Sequence, residues 1–323
     1  MRRVLIFLFF FLWSTSLEAT NIVGDYLRAF FYLQKKDFEN AYKELKKVER
    51  LDSSSSYLHL RLGLILFHLK KFPEAEKEFK KAKELDPDNL DISATLMLFY
   101  AATKEQKKLE EEYQYFLEKA HRAQPQNIRI SEYLGQFYFY KKMPRQAIKI
   151  YKTIISQKPD YPEGYYWLGY LYEEIGERKK AIKMWKKTLK LDPNHADTLN
   201  SLGYIYAEEG IKLDEAEGLI KRALEKDPQN GAYLDSLGWV YFKKKKYKKA
   251  EEYLLKAAKI IEDPVIYEHL GDLYVVLKRW EEAVDFYKKG LGISSLRPSS
   301  QKRLKEKIEK NEEKIKGIKK KGK

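Results

Sequence analysis

The side chains most capable of chemistry are the five histidines, His59, His68, His121, His195 and His269. Their spacing in the sequence matches no known catalytic or metal-binding motif. No pair follows the His-x3-His spacing that places two ligands on one helix face. The chain contains no cysteine. That absence excludes a thiolate zinc site, a cysteine nucleophile, an iron–sulfur cluster and a disulfide framework. The sequence therefore predicts no metal and no cofactor.

The sequence also lacks the usual catalytic motifs. It contains no Gly-x-Ser-x-Gly elbow, no phosphate-binding glycine loop and no dinucleotide fingerprint. Acids such as Glu173-Glu174 and Glu208-Glu209 are adjacent, and adjacent residues on a helix do not face each other. The prediction is a protein without enzymatic activity. An enzyme whose site lies in the irregular stretch from Tyr113 to His121 remains a third hypothesis.

The elements that would position any site are indicated by an internal repeat. The Leu-Gly dipeptide recurs in phase at six places, with glycines at Gly63, Gly135, Gly169, Gly203, Gly238 and Gly271, the last five of them 34, 34, 35 and 33 residues apart. An alanine follows each glycine by twelve or thirteen residues, and Asp-Pro or a related turn closes most units. A period near 34 residues is typical of a helical repeat array.

Each unit reads as two amphipathic helices joined by a tight turn. Glycine weakens a helix interior by about 1 kcal/mol relative to alanine, so its recurrence indicates close approach of the paired helix. The large residue four positions after each alanine is expected to fill space toward the next unit. We count eight units, at 22–55, 56–89, 90–127, 128–161, 162–195, 196–230, 231–263 and 264–297. The first and third are degenerate, and the third carries a four-residue insertion.

These residues resemble the tetratricopeptide pattern W-x2-L-G-x2-Y…A-x3-F…P. The clearest unit matches it with Tyr165, Leu168, Gly169, Tyr172, Ala181, Trp185 and Pro193. The resemblance covers essentially the whole chain after the first nineteen residues. It implies an all-α, right-handed superhelical solenoid of about eight helix-turn-helix units, whose first helices line a concave groove. We expect a C-terminal capping helix at its end.

The family's groove positions, carried onto this sequence, predict a partner-binding surface rich in aromatic side chains. Its residues are Tyr133, Gln136, Phe139, Tyr140, Tyr166, Trp167, Tyr170, Asn200, Ser201, Tyr204, Asp235, Trp239 and Phe242. Aromatic anchors dominate binding energy at many interfaces, and Asn200 and Gln136 are able to bond a peptide backbone. The alternative is that individual rings pack between neighbouring units. The Lys, Asn and Arg set with which some family members grip a terminal carboxylate is absent.

The first nineteen residues are predicted to be a secretory signal. Arg2 and Arg3 precede an apolar run from Val4 to Trp13, and small or polar residues lead to Ala19, after which we expect cleavage. An uncleaved N-terminal anchor is the alternative. We expect export to the periplasm or cell envelope, without a lipid anchor on cysteine.

The formal net charge is +15, and much of it lies near the C-terminus. Residues 298–323 are predicted to form a basic helix and tail, with Leu304, Ile308, Ile315 and Ile318 on one face covering the last unit. The final residues, 319–323, are expected to be frayed, and contact with anionic lipid stays open for them. The run from Lys243 to Lys249 is interpreted as a solvated turn. No nucleic acid is expected as a partner.

The last three units are similar to the C-terminal repeats of bacterial envelope tetratricopeptide proteins, which act as adaptors, including adaptors for processing proteases. The similarity lies in the extra residue of the sixth unit and in the segment from Leu234 to Trp239. It implies an exported scaffold that binds a segment of another envelope protein in its groove. The alternative is a module that binds cell wall or exopolysaccharide through groove aromatics.

Overall fold

The computed structural model describes residues 21–293 and 298–321, and all regular structure in these ranges is helical. The first helix, α1, occupies 21–34. The helices that follow are α2 Phe38–Leu51, α3 Ser56–His68, α4 Phe72–Leu85, α5 Leu90–Ala102, α6 Gln106–Ala123, α7 Ile128–Tyr140, α8 Pro144–Gln157, α9 Pro162–Glu174, α10 Arg178–Leu191, α11 Ala196–Glu208, α12 Leu213–Lys226, α13 Gly231–Lys243, α14 Tyr247–Ile260, α15 Pro264–Val276, α16 Trp280–Leu291 and α17 Pro298–Lys321. The prediction of an all-α repeat solenoid is confirmed.

The helices form two compact units, which we call the first unit, ending at Ile150, and the second unit, beginning at Tyr151. In each unit the helices alternate as first and second arms of hairpins. No helix in the described ranges is both long and apolar enough to cross a membrane. The predicted signal, residues 1–19, lies outside the described residues.

Each hairpin turn begins with the same helix ending. The backbone N–H of the second residue past the cap returns to the last helical turn, as Lys71 N–H does to Leu66 O at 2.9 Å. The preceding residue, Lys70, takes a left-handed conformation with φ of 60°. This is the Schellman ending, which satisfies carbonyls that the helix would leave unpaired. The second arm then starts without a side-chain cap in most units, because the turn already directs the chain into it.

The repeated glycines allow the two arms of a hairpin to touch. A Cβ added to Gly271 would lie 2.2 Å from Cε1 of Tyr287, and one added to Gly169 would lie 2.4 Å from Nε1 of Trp185. The residue four positions after each alanine therefore lies over the glycine of its own unit, a contact that the sequence analysis did not anticipate. Phe79 also reaches the next hairpin, with its ring centroid 5.4 Å from that of Phe99. The repeated alanines are fully buried between the arms.

The irregular units have local explanations. The four inserted residues of the third unit extend α6 to 18 residues, against 14 for α4. In the first hairpin Ala29 replaces the glycine and is 1% exposed, and the residue four after Ala41 is the smaller Leu45, which leaves room for the methyl group. The extra residue of the sixth hairpin lies in its turn, where Lys212 has a φ of 49° before α12 begins.

The last helix, α17, packs on the final hairpin. Leu304 is 0% exposed and Ile308 is 8% exposed, whereas Ile318 is 55% exposed. Charged groups join the two elements, since Arg303 and Lys307 both donate to Glu268, at 2.7–2.8 Å. The helix continues through Lys321.

Candidate binding cleft of the second unit

The first arms of the second unit line a cleft of about 480 Å³, which we call the C-terminal cleft. Helices α9, α11, α13 and α15 each contribute side chains to it, together with the turn that precedes α15. Its lining residues are Tyr170, Glu173, Glu174, Trp185, Asn200, Ser201, Tyr204, Ile205, Ala232, Asp235, Ser236, Ile261, Asp263, Val265 and Ile266. Five of the residues predicted to form the groove are brought together here: Tyr170, Asn200, Ser201, Tyr204 and Asp235.

Asn200 is the polar residue of the cleft with an unused hydrogen-bonding atom. It lies in the middle of α11, and its Oδ1 is buried without a hydrogen-bond partner. A buried amide oxygen left unpaired costs about 1–3 kcal/mol. Because the oxygen is buried, an N–H of a bound segment would reach it only after the Asn200 side chain turned toward the cleft.

The cleft lining carries four carboxylates and no lysine or arginine: Glu173, Glu174, Asp235 and Asp263. All four interact with other groups of the chain. Glu173 accepts from Arg178 at 2.6 Å, and Asp263 accepts from the N–H of Val265 at 2.7 Å. Asp263 caps the N-terminus of α15 in this way. Sequence reasoning did not identify this acidic lining, because part of it comes from the turn between hairpins and not from the first arms.

Beneath the cleft, Asp235 accepts a hydrogen bond from Nδ1 of His269 at 2.9 Å. Both residues are buried. Burial by itself would lower the pKa of His269, but the adjacent carboxylate of Asp235 outweighs it and raises that pKa above the usual value for histidine. Protonated His269, which lies beneath the cleft, thereby partly neutralises the negative charge of Asp235.

Trp239 is placed in the core and not on the cleft lining. Its ring is 6% exposed and stacks between His269, at a centroid distance of 4.0 Å, and Phe242, at 4.6 Å. The indole Nε1 donates to Glu208. The counter-interpretation that individual rings pack between units describes the observed position of this tryptophan, and Phe242 shares its stack.

Tyr166 and Trp167 are half-buried. Trp167 stacks on Tyr151 at 5.8 Å and meets Tyr170 edge-on at 6.0 Å. Tyr166 packs against His195, and desolvation raises the pKa of its hydroxyl. Of the three aromatic residues predicted on α9, only Tyr170 lines the C-terminal cleft.

The remaining predicted groove residues belong to the first unit. Tyr133, Gln136 and Tyr140 lie together along α7 and line a second cleft of about 490 Å³ with Tyr113 and Phe137, which we call the tyrosine cleft. Tyr140 is 70% exposed and Tyr133 is 42% exposed. Phe139 is half-buried and is not among the lining residues.

One group of side chains in the described ranges has ligand atoms close enough together for a metal ion: Glu49, His59 and Glu78, within 4.8 Å of one another. Hydrogen bonds already account for both ring nitrogens of His59, with Nδ1 2.6 Å from Glu78 and Nε2 3.0 Å from the carbonyl of Ser53. Glu49 forms an ion pair with Lys46. These contacts give the cluster a structural role in joining α2, α3 and α4.

Comparison with known proteins identifies the repeat. Residues 56–89 and 162–195 each match a family model for the tetratricopeptide repeat. Residues 209–290 match a model described as anaphase-promoting complex, cyclosome, subunit 3. No curated protein sequence matches the chain.

The chain is similar to several solved structures. The Cut9–Hcn1 hetero-tetramer of the APC/C is similar with a TM-score of 0.55 and 17% identity, over 84% of this chain and 52% of that one. A tetratricopeptide repeat protein from Parabacteroides merdae has a TM-score of 0.47 and 17% identity, over 90% of this chain and 99% of that one. Yeast Tom70 has a TM-score of 0.49 and 17% identity, over 86% and 61%.

The stacked hairpins define the class of α-solenoid repeat proteins. The chain is a tetratricopeptide repeat protein. Proteins of this kind are scaffolds for protein–protein interaction and are generally non-catalytic.

Proposed function

We propose that this protein is a non-enzymatic scaffold that binds an extended segment of a partner protein in the C-terminal cleft. The observation that carries the proposal is an open cleft lined by Asn200, Ser201 and Tyr204 of α11 together with four carboxylates. Rotation of the Asn200 side chain toward the cleft would present its amide group to the backbone of a bound segment. Ser201 and Tyr204 on the same helix offer further polar contacts beside it.

The lining also defines the chemistry of the bound segment. Four carboxylates and no basic side chain face a cleft in a protein of net charge +15. Complementary charge selects partners and steers their approach. The segment therefore carries lysine or arginine at the position that reaches Glu174 and Asp263.

We place this activity in the cell envelope. The proposal rests on the signal-like residues 1–19 and on the similarity of the last three repeats to envelope adaptors. The partner would then be another exported protein, such as a processing protease or a component of a secretion or outer-membrane assembly. A fusion of residues 1–30 to alkaline phosphatase tests export, because that reporter is active only after translocation.

Peptide selection tests the cleft directly. Random peptides displayed on phage should be enriched for lysine and arginine on the wild-type chain, and synthetic versions of them should bind with micromolar affinity, equivalent to about 8 kcal/mol. Asn200→Ala should weaken binding about tenfold through the lost backbone contact. Glu174→Lys should weaken it further by placing a cation in the acidic lining.

Glu225→Lys serves as the matched control, because Glu225 is an exposed acid of α12 that does not line the cleft. Selection of acidic or purely apolar peptides would contradict the proposed charge. Equal loss of binding in Glu174→Lys and Glu225→Lys would show that net charge matters and the cleft does not.

A second candidate function is favoured by the tyrosine cleft. Tyr113, Tyr133 and Tyr140 are exposed on one concave surface of the first unit, and such rings stack well on sugar faces. Cosedimentation with purified peptidoglycan or exopolysaccharide, lost in Tyr133→Ala with Tyr140→Ala, would support a polymer-binding module. Retention of sedimentation by that double variant would exclude this cleft as the binding site.

The basic C-terminal helix gives a further proposal for peripheral membrane contact. Ile318 is exposed beside Lys319, and Ile315 lies with them along a shallow pocket next to Trp280. Truncation after Gly317 should reduce binding to anionic vesicles if this end of α17 touches lipid. Unchanged vesicle binding by the truncated protein would show that another surface contacts the lipid.

A further inference from the structure

A single residue type occupies every strained non-glycine position in the described part of the chain. Seven residues other than glycine have positive φ, and all seven are lysines: Lys36, Lys70, Lys104, Lys142, Lys212, Lys245 and Lys278. Six of them occupy the same place in their hairpins, the left-handed residue of the Schellman ending of the first arm. The fifth and sixth hairpins have Gly176 and Gly210 at that place.

Glycine is the residue that this backbone conformation favours, since a Cβ crowds the backbone there. A cation near a helix C-terminus gains from the helix dipole. That gain is also available to a lysine in the last helical turn, where the backbone is unstrained. The attraction therefore does not explain why lysine recurs at the strained residue, and the recurrence indicates a use for the side chain itself.

The six lysines are free to interact with something outside the chain. All are exposed. None of the six forms an ion pair with another residue in the ranges 21–293 and 298–321, whereas Lys212, which lies outside the register, pairs with Glu215 at 2.7 Å. Many other lysines are paired, as Lys108 is with Glu76.

In the first unit the lysines define a basic edge. Its four consecutive intra-hairpin turns are 35–37, 69–71, 103–105 and 141–143, and they contain seven lysines against two acids. Turns of this kind share one side of a stack of hairpins, because each connects a first arm to its second arm in the same sense. The turns of the opposite edge, 52–55, 86–89 and 124–127, contain three aspartates and no lysine or arginine.

Exposed aromatic rings lie beside the other lysines of these turns. Phe31 is 53% exposed and lies under Lys35, whose Nζ is 4.2 Å from the ring centroid. Phe72 follows Lys71 and is 41% exposed, and Tyr140 precedes Lys141. Lysine with an adjacent aromatic ring is the pairing that suits the headgroup layer of a bilayer, where the ring enters the apolar boundary and the ammonium contacts phosphate.

We infer that the basic edge of the first unit is a docking surface for an anionic lipid bilayer. A fluid bilayer does not require its binding groups at fixed spacings, so one cluster of positive charge per hairpin is sufficient. A single-stranded nucleic acid would instead use rings close enough to stack successive bases, and the edge offers about one ring per hairpin. The aspartate-bearing opposite edge would be repelled, which sets the orientation. This inference is independent of the C-terminal cleft.

The expected contribution is about fivefold in partitioning for each lysine close to the surface, the equivalent of roughly 1 kcal/mol. Four lysines would together give on the order of a hundredfold or more. The effect should decline with salt, since the Debye length is about 8 Å at 0.15 M ionic strength.

The test uses vesicles made of equal parts phosphatidylglycerol and phosphatidylcholine, with pure phosphatidylcholine vesicles as the baseline. Binding of the full chain is compared with that of a variant in which Lys36, Lys70, Lys104 and Lys142 are all changed to glycine. Because glycine relieves the left-handed backbone, this variant stays folded, and its melting temperature is measured to verify that. The control changes Lys179, Lys183, Lys186 and Lys190 on α10 to glutamine, which removes the same charge from exposed lysines elsewhere.

We expect the glycine variant to lose anionic-vesicle binding by about a hundredfold while melting at the same or a higher temperature, and the α10 variant to lose a few-fold at most. Equal losses of vesicle binding in the two variants would show that only the net charge of the protein matters, and would overturn the inference. Unchanged binding of the glycine variant would also overturn it. Tighter binding to oligo-dT than to the vesicles, with loss in the same variant, would reassign the edge to nucleic acid.

Discussion

Nδ1 of His269 lies 2.9 Å from Oδ1 of Asp235, although the two residues are 34 positions apart in the sequence. They occupy neighbouring places on α13 and α15, so this buried contact joins two successive hairpins. It also lies under the acidic lining of the C-terminal cleft, to which Asp235 contributes. Stability of the second unit is therefore linked to the protonation of one histidine.

This contact predicts a pH dependence. The pKa of His269 is raised in the folded state, so the stabilisation is fully present below the unfolded value of about 6.5 and is lost as pH rises through the folded value. Asp235→Asn should lower the free energy of unfolding by roughly 1–3 kcal/mol at pH 6, and the difference from wild type should shrink toward pH 9. Urea unfolding at both pH values measures it. Parallel pH curves for the two proteins would contradict the linkage.

Gly271→Ala should destabilise the last hairpin. The added Cβ would lie 2.2 Å from Cε1 of Tyr287, and that ring is fixed by a hydrogen bond from its hydroxyl to Asp272 at 2.6 Å. Overpacking of this kind costs about 1–3 kcal/mol, measurable by urea unfolding. Gly218→Ala is the control, because no atom lies within 4 Å of its Cβ position, and it should stabilise α12 by up to about 1 kcal/mol. Equal effects of the two substitutions would refute the close-approach explanation.

Lys70→Gly should increase stability. It removes the strain of a Cβ at φ of 60°, and after subtraction of the greater freedom of glycine in the unfolded chain the gain should be about 0.5–1 kcal/mol. Gly176→Lys should produce the opposite change, since Gly176 has a φ of 77° with no atom within 4 Å of a Cβ. Thermal melting of both variants tests the pair. A stability loss in Lys70→Gly would mean that the lysine side chain stabilises the turn.

Glu268→Gln should loosen the terminal helix α17. Burial would raise the pKa of Glu268, but hydrogen bonds from Arg303 and Lys307 lower it overall, so the carboxylate is charged where it meets both cations. Loss of the charge should weaken docking by about 2 kcal/mol. Amide hydrogen exchange should then accelerate in α17 and remain unchanged in α13. Unaltered exchange in α17 would show that Leu304 and Ile308 hold the helix without the ion pairs.

Much of the fold could be predicted from the sequence because the same repeat positions make the same packing contact in successive hairpins. The spacing from Gly271 to Tyr287 recurs as Gly169 to Trp185, and such recurrence reveals a packing contact even when its partner is misassigned. The left-handed lysines could not be recognised, since a lysine in a turn looks the same whether its φ is negative or positive. Their conformation depends on the helix ending that Leu66 and Lys71 complete.

The candidate site was only partly predictable. Repeat phase assigns a residue to a helix face, but not to a depth below the surface. Asn200 and Trp239 were both placed in the groove by phase, yet Asn200 lines the C-terminal cleft while the ring of Trp239 is enclosed by His269 and Phe242. That depth depends on residues one hairpin away, and Asp263 enters the cleft from a turn that the groove positions do not include.

The described ends of the array are finished differently. At one end α17 covers the last hairpin with apolar and ionic contacts, and at the other α1 presents Val23, Leu27, Phe30 and Phe31 with more than half of each side chain exposed. In a stack where each hairpin is supported chiefly by its neighbours, opening propagates inward from the less supported end. Local unfolding should therefore begin at α1, whose amide protons should exchange first. The hairpins near α17 should unfold last, and the array should refold from them.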